Sequence, residues 1–472
     1  MAINTFLSQQ LAKSDPQRPI TMILELPEGE EITPSSLTAF TQVPGTRIKS
    51  QAFNFVTVVA PVSSIPALER ESVKVHYNAP RGIISAPFLE DPVFGRFTLS
   101  DVTLPFNRQE MVIRNVRGAP RSLLQGPAAF LSQFGVRTPQ FVEPSAIIIP
   151  TGETRQLLHP PEDSLLRETK VAVLDTGLSL PHPQFNLLNG VRPTTRSTTG
   201  EPPFDLLGHG QWCTCAAFGS AANTKYGLCQ GVATATGSLL LHVKCLSNLG
   251  FGSTESVLLA MEQSVAWGAK VVSMSLGGPI QGSVDEDPEC QILKRLRDEV
   301  IFVVAAGNSG PTSWTIGSPG ASPYAVCVGA YSTHYQGTAI FSSRGPSTDY
   351  YRDNPGIWKS DLSKYGIDMQ KPDCLAPGGG PVREGDRVDQ IYSGVVGWTN
   401  GMTDLNPFDV WDAMRGTSMA TPAAAGLIAL AYEGGAIRTG LDVREKLKNT
   451  ANGSKSISDG YGFLTFERLI DA

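Results

Sequence analysis

Three short stretches carry the residue types of acyl-transfer chemistry: VAVLDTG with Asp175, GHG with His209, and GTSMATP with Ser418. A serine hydroxyl is a poor nucleophile at neutral pH and needs a base within hydrogen-bond reach. An imidazole can take that proton and return it to a leaving amine. A carboxylate can hold the imidazole's tautomer and stabilise the imidazolium. A fourth stretch, AAGNSG with Asn308, offers an amide donor for the developing oxyanion beside the Ser418 N–H. Each residue alone has a plainer use: Asp175 capping a turn, His209 satisfied in a loop, Ser418 as a helix N-cap, Asn308 in a left-handed turn. Taken jointly, with order and flanks agreeing, they point to a serine peptidase. The competing class is a catalytically silent binding or scaffold module, which the intact set of four disfavours.

These side chains need elements to present them. KVAVLD, SLLLHVKCL, AKVVSMSLG, VIFVVAAGN and YAVCVGA are nearly continuous apolar runs, as expected for parallel strands buried on both faces. SVLLAMEQSVAW and CQILKRLRDE between them carry helical spacing. The pattern predicts an α/β fold, a mainly parallel sheet covered by helices, with its site at the carboxyl ends of the strands. Asp175 ends one apolar run. His209 lies between two glycines where a helix can start, and Ser418 falls in a small-residue turn entering MATPAAAGLIALAY.

The first 80 residues have a separate texture. Strands are predicted at Ile20 to Leu26, Arg47 to Gln51, Phe53 to Ala60 and Val73 to His76, with helices at Ser35 to Ala39 and Val62 to Arg70. That order, βαββαβ, is the split plan of small ferredoxin-like domains. From residue 81 to 150 the pattern weakens into a linker or small subdomain, with RFTLSDVTLPF and QEMVIRNVR as candidate strands and PAAFLSQFG as a candidate helix. Residues 151–472 form the expected catalytic domain, with 347–414 as an insertion.

A net charge of −6 and the lack of a Lys/Arg-rich run speak against nucleic-acid binding. No stretch approaches the roughly 18 apolar residues that would cross a membrane. The N-terminal sequence has no apolar signal core, and seven cysteines leave at least one thiol without an internal partner. These features favour a reducing, cytoplasmic setting, or secretion if a leader is missing.

Residues from about 165 to 430 resemble the subtilisin (subtilase) family through VAVLDTG, GHG, VVSMSLGGP, VVAAGNSG, FSSRGP, KPDCLAPGG and GTSMATP. The resemblance implies a three-layer subtilisin-like fold and the catalytic roles given above. It implies an extended protein or peptide substrate lying as a strand between Leu249–Gly252 (Leu249, Gly250 and Gly252) and Ser275, Leu276 and Gly277. Ala305, Ala306 and Gly307 would wall the primary specificity pocket, with Gly317 as its floor, admitting bulky apolar side chains. It also implies that residues 1–80 are a propeptide, an intramolecular inhibitor whose HYNAPRG tail enters the cleft and is self-cleaved. The long segment to Pro150 departs from the family, so a cut at either end of it, no cut, or an ordinary docking domain that stays attached are the alternatives. Several departures stand out. GHGQWCTC replaces smaller residues with Trp212, Cys213 and Cys215, Cys213 resembling the thiol beneath the catalytic pair in the proteinase K-like branch. AANTKYGLCQGVATAT lacks the carboxylates of the family's calcium loop, so no cofactor is expected and calcium is unsupported. Cys213-x-Cys215 hints at a metal, but no further ligands have the right spacing, and no metal site is assigned.

Overall fold

The computed structural model describes residues 15–27, 32–70, 72, 74–83, 146–185, 192–396, 410–451 and 454–471. RFTLSDVTLPF, QEMVIRNVR and PAAFLSQFG lie outside the described residues, as does 397–409 of the expected insertion.

The five apolar runs become strands Val171–Asp175, Leu240–Lys244, Val271–Met274, Ile301–Ala305 and Val326–Ser332. With Thr194–Ser197, Cys374–Pro377 and Gly337–Thr338 they form one eight-stranded sheet, in which Gly337–Thr338 is the antiparallel member. Successive strand residues point to opposite faces, and both faces are covered. Val171, Val173, Val271, Val303 and Val328 pack with residues of helices His209–Phe218 and Thr417–Glu433. Ala172, Leu174, Val272, Met274 and Val304 pack with helices Thr254–Trp267 and Pro288–Arg295. This two-sided burial is why the runs are nearly continuous in apolar residues, with His242, Lys244 and Ser273 among their buried polar members, and it makes three layers. The helix expected over CQILKRLRDE stops at Arg295. There the Leu296 carbonyl accepts from Glu299 and Val300 N–H, turning the chain into the Ile301 strand.

The N-terminal unit follows the order strand Pro19–Glu25, helix Pro34–Thr41, strands Arg47–Ala52 and Phe55–Pro61, helix Ile65–Leu68 and strand Lys74–Tyr77. Its sheet is antiparallel, in the order Arg47, Phe55, Pro19 and Lys74 strands. The helix expected over Val62 to Arg70 is two shorter pieces, Val62–Ser64 as a 3₁₀ turn and then Ile65–Leu68. Pro66 has no N–H to donate and is tolerated in that opening turn. One sheet face closes its own core with Phe40, Ile65 and Leu68. From the other face Ile23 and Phe55 join Val257 and Met261 of helix Thr254–Trp267. Polar ties flank this contact: Lys74 meets Glu286 at 2.5 Å, Phe53 N–H donates to Glu262 at 2.8 Å, and Lys49 and Ser50 both bind Glu255.

The stretch 347–414 is not one appendage. Its segment Cys374–Pro377 is buried and pairs with Val326–Ser332 in the main sheet. Around it lie helices Asp349–Asp353 and Pro355–Tyr365, and a small sheet ordered Trp411–Met414, Asp389–Gly394 and Ile147–Pro150. Among the described residues, no helix is long and apolar enough to cross a membrane. All seven cysteines are buried and free.

Candidate active site

Asp175 is the last residue of its strand and is fully buried. Its Oδ1 accepts from the Thr176 N–H at 2.7 Å and meets His209 Nδ1 at 2.7 Å. A buried carboxylate requires such partners. His209 opens its helix directly after Gly208, whose φ of +94° is one that L side chains rarely adopt. The far imidazole nitrogen, Nε2, is buried without a hydrogen-bond partner.

Asp205, which the sequence reading did not single out, organises this corner. Its Oδ1 accepts from Leu207 and Gly208 N–H, both at 2.9 Å, and from the Thr176 hydroxyl at 3.0 Å. Its Oδ2 accepts from the Gln211 N–H at 2.8 Å. One carboxylate therefore satisfies orphan amides at the His209 helix start and ties them to the residue after Asp175. The available signal was an acidic residue just ahead of a helix start. Asp205→Ala is expected to destabilise the fold by about 2 kcal/mol, as for a lost cap. By misplacing His209 it should also lower kcat/KM about 100-fold. Thermal unfolding and peptide hydrolysis, measured on the same preparation, check both effects.

Ser418 is the second residue of helix Thr417–Glu433, entered from Gly416 at φ +149°. The helix, rather than a turn ahead of it, holds the candidate nucleophile, and Gly416 takes the N-cap place. Pro422 sits four residues on and lacks the N–H that would bond the Ser418 carbonyl. That carbonyl instead accepts from the Ser275 hydroxyl at 2.9 Å and the Cys213 thiol at 3.5 Å. Burial, with the Asp175 charge second, pushes the Cys213 thiol well above its usual range, so it stays a protonated donor. The missing proline donor thus explains why Ser275 and Cys213 stand where they do. The Ser418 hydroxyl donates to the Ser275 carbonyl at 3.2 Å. Swinging it to the unpartnered His209 Nε2 would complete the nucleophile–base bond, which is often long in a resting site.

Asn308 lies just past the end of strand Ile301–Ala305. Its Oδ1 accepts from the Thr417 N–H at 2.9 Å and hydroxyl at 3.1 Å, leaving the buried Nδ2 unpartnered. The amide is therefore oriented with its donor unspent. Asn308→Ala is expected to lower kcat about 10²- to 10³-fold with little change in KM, checked by steady-state hydrolysis of a peptide substrate.

The segments expected to flank the substrate are occupied by the chain itself. Strand Pro80–Ile83 runs antiparallel to Phe251–Ser253 and to Leu276–Gly277. Gly252 pairs with Arg81, Gly82 with both Phe251 and Gly277, and Ile83 with Leu276. The Ile83 N–H donates to the Gly250 carbonyl at 3.0 Å. Leu249 stands in the turn before this ladder, its N–H bound to Ser247 Oγ at 3.3 Å, and Ser275 serves the Ser418 backbone. Ala305 ends its strand, Gly317 N–H donates to the Ala306 carbonyl at 3.1 Å, and Gly307 takes φ +114°. A Cβ on Gly317 would meet the Gly278 carbonyl at 3.5 Å, an ordinary van der Waals contact.

The departures behind His209 also find places. Trp212 is fully buried and donates to the Asp412 carbonyl at 3.2 Å, so the small sheet of the 347–414 stretch covers it. Cys215 faces His182 Nδ1 at 3.6 Å instead of converging with Cys213. Among the described residues, the group with metal-ligand proximity is Asp175, His209 and Cys213, which includes two of the candidate catalytic residues. The segment compared with a calcium loop forms a hairpin, Ala222–Thr224 with Gly227–Cys229. It has no carboxylate, the ligand a hard cation prefers, and offers oxygens from Asn223 and the backbone.

At the carboxyl end of an inner strand the parallel sheet sets Asp175 against His209, and Asn308 is bonded to Thr417 beside Ser418. Residues 167–463 match the subtilase family, Peptidase S8, and the chain belongs to it. It is similar to serine protease AprX of Bacillus subtilis, 31% identical over 303 residues, covering 59% of this chain and 60% of that protein. It is likewise similar to subtilisin of Bacillus pumilus, 30% identical over 285 residues, covering 60% of this chain and 83% of that protein. Pyrolysin of Pyrococcus furiosus is 34% identical over 215 residues, covering 43% of this chain and 14% of that much longer protein.

Proposed function

We propose that this chain is a serine endopeptidase whose own N-terminal unit holds it shut. The Ser418 hydroxyl attacks the scissile carbonyl while His209 Nε2 takes its proton. The imidazolium is stabilised by Asp175 through the 2.7 Å contact to Nδ1. Asn308 Nδ2 and the Ser418 N–H stabilise the oxyanion, the acyl-enzyme forms as the amine leaves with the proton from His209, and water then releases the product. Gly317 leaves room for a bulky apolar side chain beside the cut. Residues 15–83 act as a ferredoxin-like prodomain, and self-cleavage downstream of Ile83 frees the cleft. The observation that carries this reading is Pro80–Ile83 lying in the cleft as a substrate would, on the strands beside Ser418. Seven buried free thiols support a reducing, intracellular setting. The test is fluorophosphonate labelling of full-length wild type against Ser418→Ala, with N-terminal sequencing of any fragment that accumulates. A wild-type protein that stays unlabelled and uncut would sink the proposal.

A further inference from the structure

On the strand that fills the cleft, Arg81 is only 1% exposed. Its Nε donates to Glu289 Oε1 at 2.8 Å and its Nη1 to the Pro279 carbonyl at 3.3 Å, while Nη2 stands 3.7 Å from Asp287 Oδ2. The two carboxylates differ in what else holds them. Asp287 caps helix Pro288–Arg295 through the Cys290 N–H at 3.2 Å. It also accepts from the Ser318 hydroxyl and the Gln281 N–H, both at 3.0 Å. Glu289 is fully buried, and among the described residues Arg81 is its hydrogen-bond partner; its Oε2 has none. Burial pushes Glu289 up to about 7 even beside the Arg81 guanidinium. A buried carboxylate with no partner in its own domain is strongly disfavoured. Its presence is understandable if whatever lies in the cleft brings the cation. The wall is shaped for that occupant: a Cβ on Gly278 would stand 2.6 Å from the Pro80 carbonyl and 3.0 Å from Arg81 Nη1.

We propose that Glu289 and Asp287 form a cation-binding subsite of the cleft, selecting arginine in a substrate at the position that pairs with Gly252. Arg81 is the chain's own occupant of that subsite. Arginine is favoured over lysine because contact is made through Nε and Nη1 together, a planar fork that a point-charge ammonium does not reproduce. The inference rests on the endopeptidase reading.

The experiment gives full-length protein, with competent sites counted by fluorophosphonate titration, a quenched fluorescent peptide copying residues 77–88, YNAPRGIISAPF. Three partner peptides carry leucine, lysine or glutamate in place of the arginine. Per competent site, kcat/KM is expected to be about 100-fold higher for arginine than for leucine, with glutamate lowest. In Glu289→Leu the order of the arginine and leucine peptides should reverse. Glu289→Gln, which keeps the shape of the side chain, should lose most of the arginine preference, so a misfolded leucine variant cannot decide the matter. Equal rates for arginine and leucine peptides in a labelled enzyme would overturn the subsite while leaving the endopeptidase reading intact. A protein with no titratable site would overturn that reading and the subsite with it.

Discussion

Replacing Ser418 by alanine is expected to lower kcat for peptide hydrolysis about 10⁶-fold and to abolish fluorophosphonate labelling. The loss is large because hydroxyl, imidazole and carboxylate act as one unit; without the nucleophile, His209 has no proton to move. His209→Ala should fall about as far, for the same reason. What remains in either variant is a residual roughly 10³-fold rate over water, owed to the oxyanion donors and to binding. Folding should survive. The Ser418 hydroxyl's bond to the Ser275 carbonyl at 3.2 Å is worth about 1 kcal/mol. The backbone ties from Ser275 and Cys213 to the Ser418 carbonyl do not involve the lost atom. A folded Ser418→Ala protein that still took the label, or still turned over, would show that another residue is the nucleophile.

The second large effect is a gain. Arg81→Glu in the full-length chain is expected to raise the initial rate of hydrolysis of a short peptide about 100-fold. Wild type holds Pro80–Ile83 in the cleft by main-chain pairing on both sides and by burying Arg81 against Glu289 and Asp287. A glutamate there would set three carboxylates together. Like-charge juxtaposition and the loss of a buried pair cost several kcal/mol, and every 1.4 kcal/mol is a tenfold change in occupancy. Gly82→Pro should act in the same direction by another route, since proline has no N–H for the ladder and Gly82 pairs with both Phe251 and Gly277. The rest of the N-terminal unit would stay docked through Ile23, Phe55 and Lys74, so release of the strand is separable from loss of the domain. Initial rates, with intact mass checked at each time point, distinguish opening from self-cleavage. If wild type and both variants hydrolyse the peptide equally fast, the strand is not an inhibitor.

Much of the architecture was legible in one dimension because burial on both faces leaves a simple mark. A parallel strand between two helical layers is apolar at most positions, and five such runs marked five strands. Helix Thr254–Trp267 was readable from its spacing, with Ser253 and Ser256 closing a capping box at its start. The reading of 347–414 as one insertion departed from the structure for a related reason. CLAP is only four residues long, and its place in the main sheet depends on pairing with Val326–Ser332, which is distant in sequence. Val62 to Arg70 was over-read as one helix because periodicity alone does not register where Pro66 forces a new start.

The candidate site divides along the same line. Asp175, His209, Ser418 and Asn308 stood out as candidates because acyl transfer restricts each place to very few side chains, and those sit in short local contexts of glycine and small residues. Asp205 did not, since its work is to gather amides from a neighbouring turn and the hydroxyl of Thr176, 29 residues away. The pairing of Ser275 and Cys213 with the Ser418 carbonyl was equally hidden, because it answers a vacancy that Pro422 creates. Sequence by itself determined the family and the strands of the parallel sheet, since both follow from local motifs, composition and spacing. Only the tertiary structure decided that Asp175 and His209 meet at 2.7 Å, that Ser418 rests on Ser275, and that Arg81 lies buried against Glu289. Those contacts join residues 34, 143 and 208 positions apart, and a long-range contact is settled by how whole layers pack rather than by any neighbouring residue.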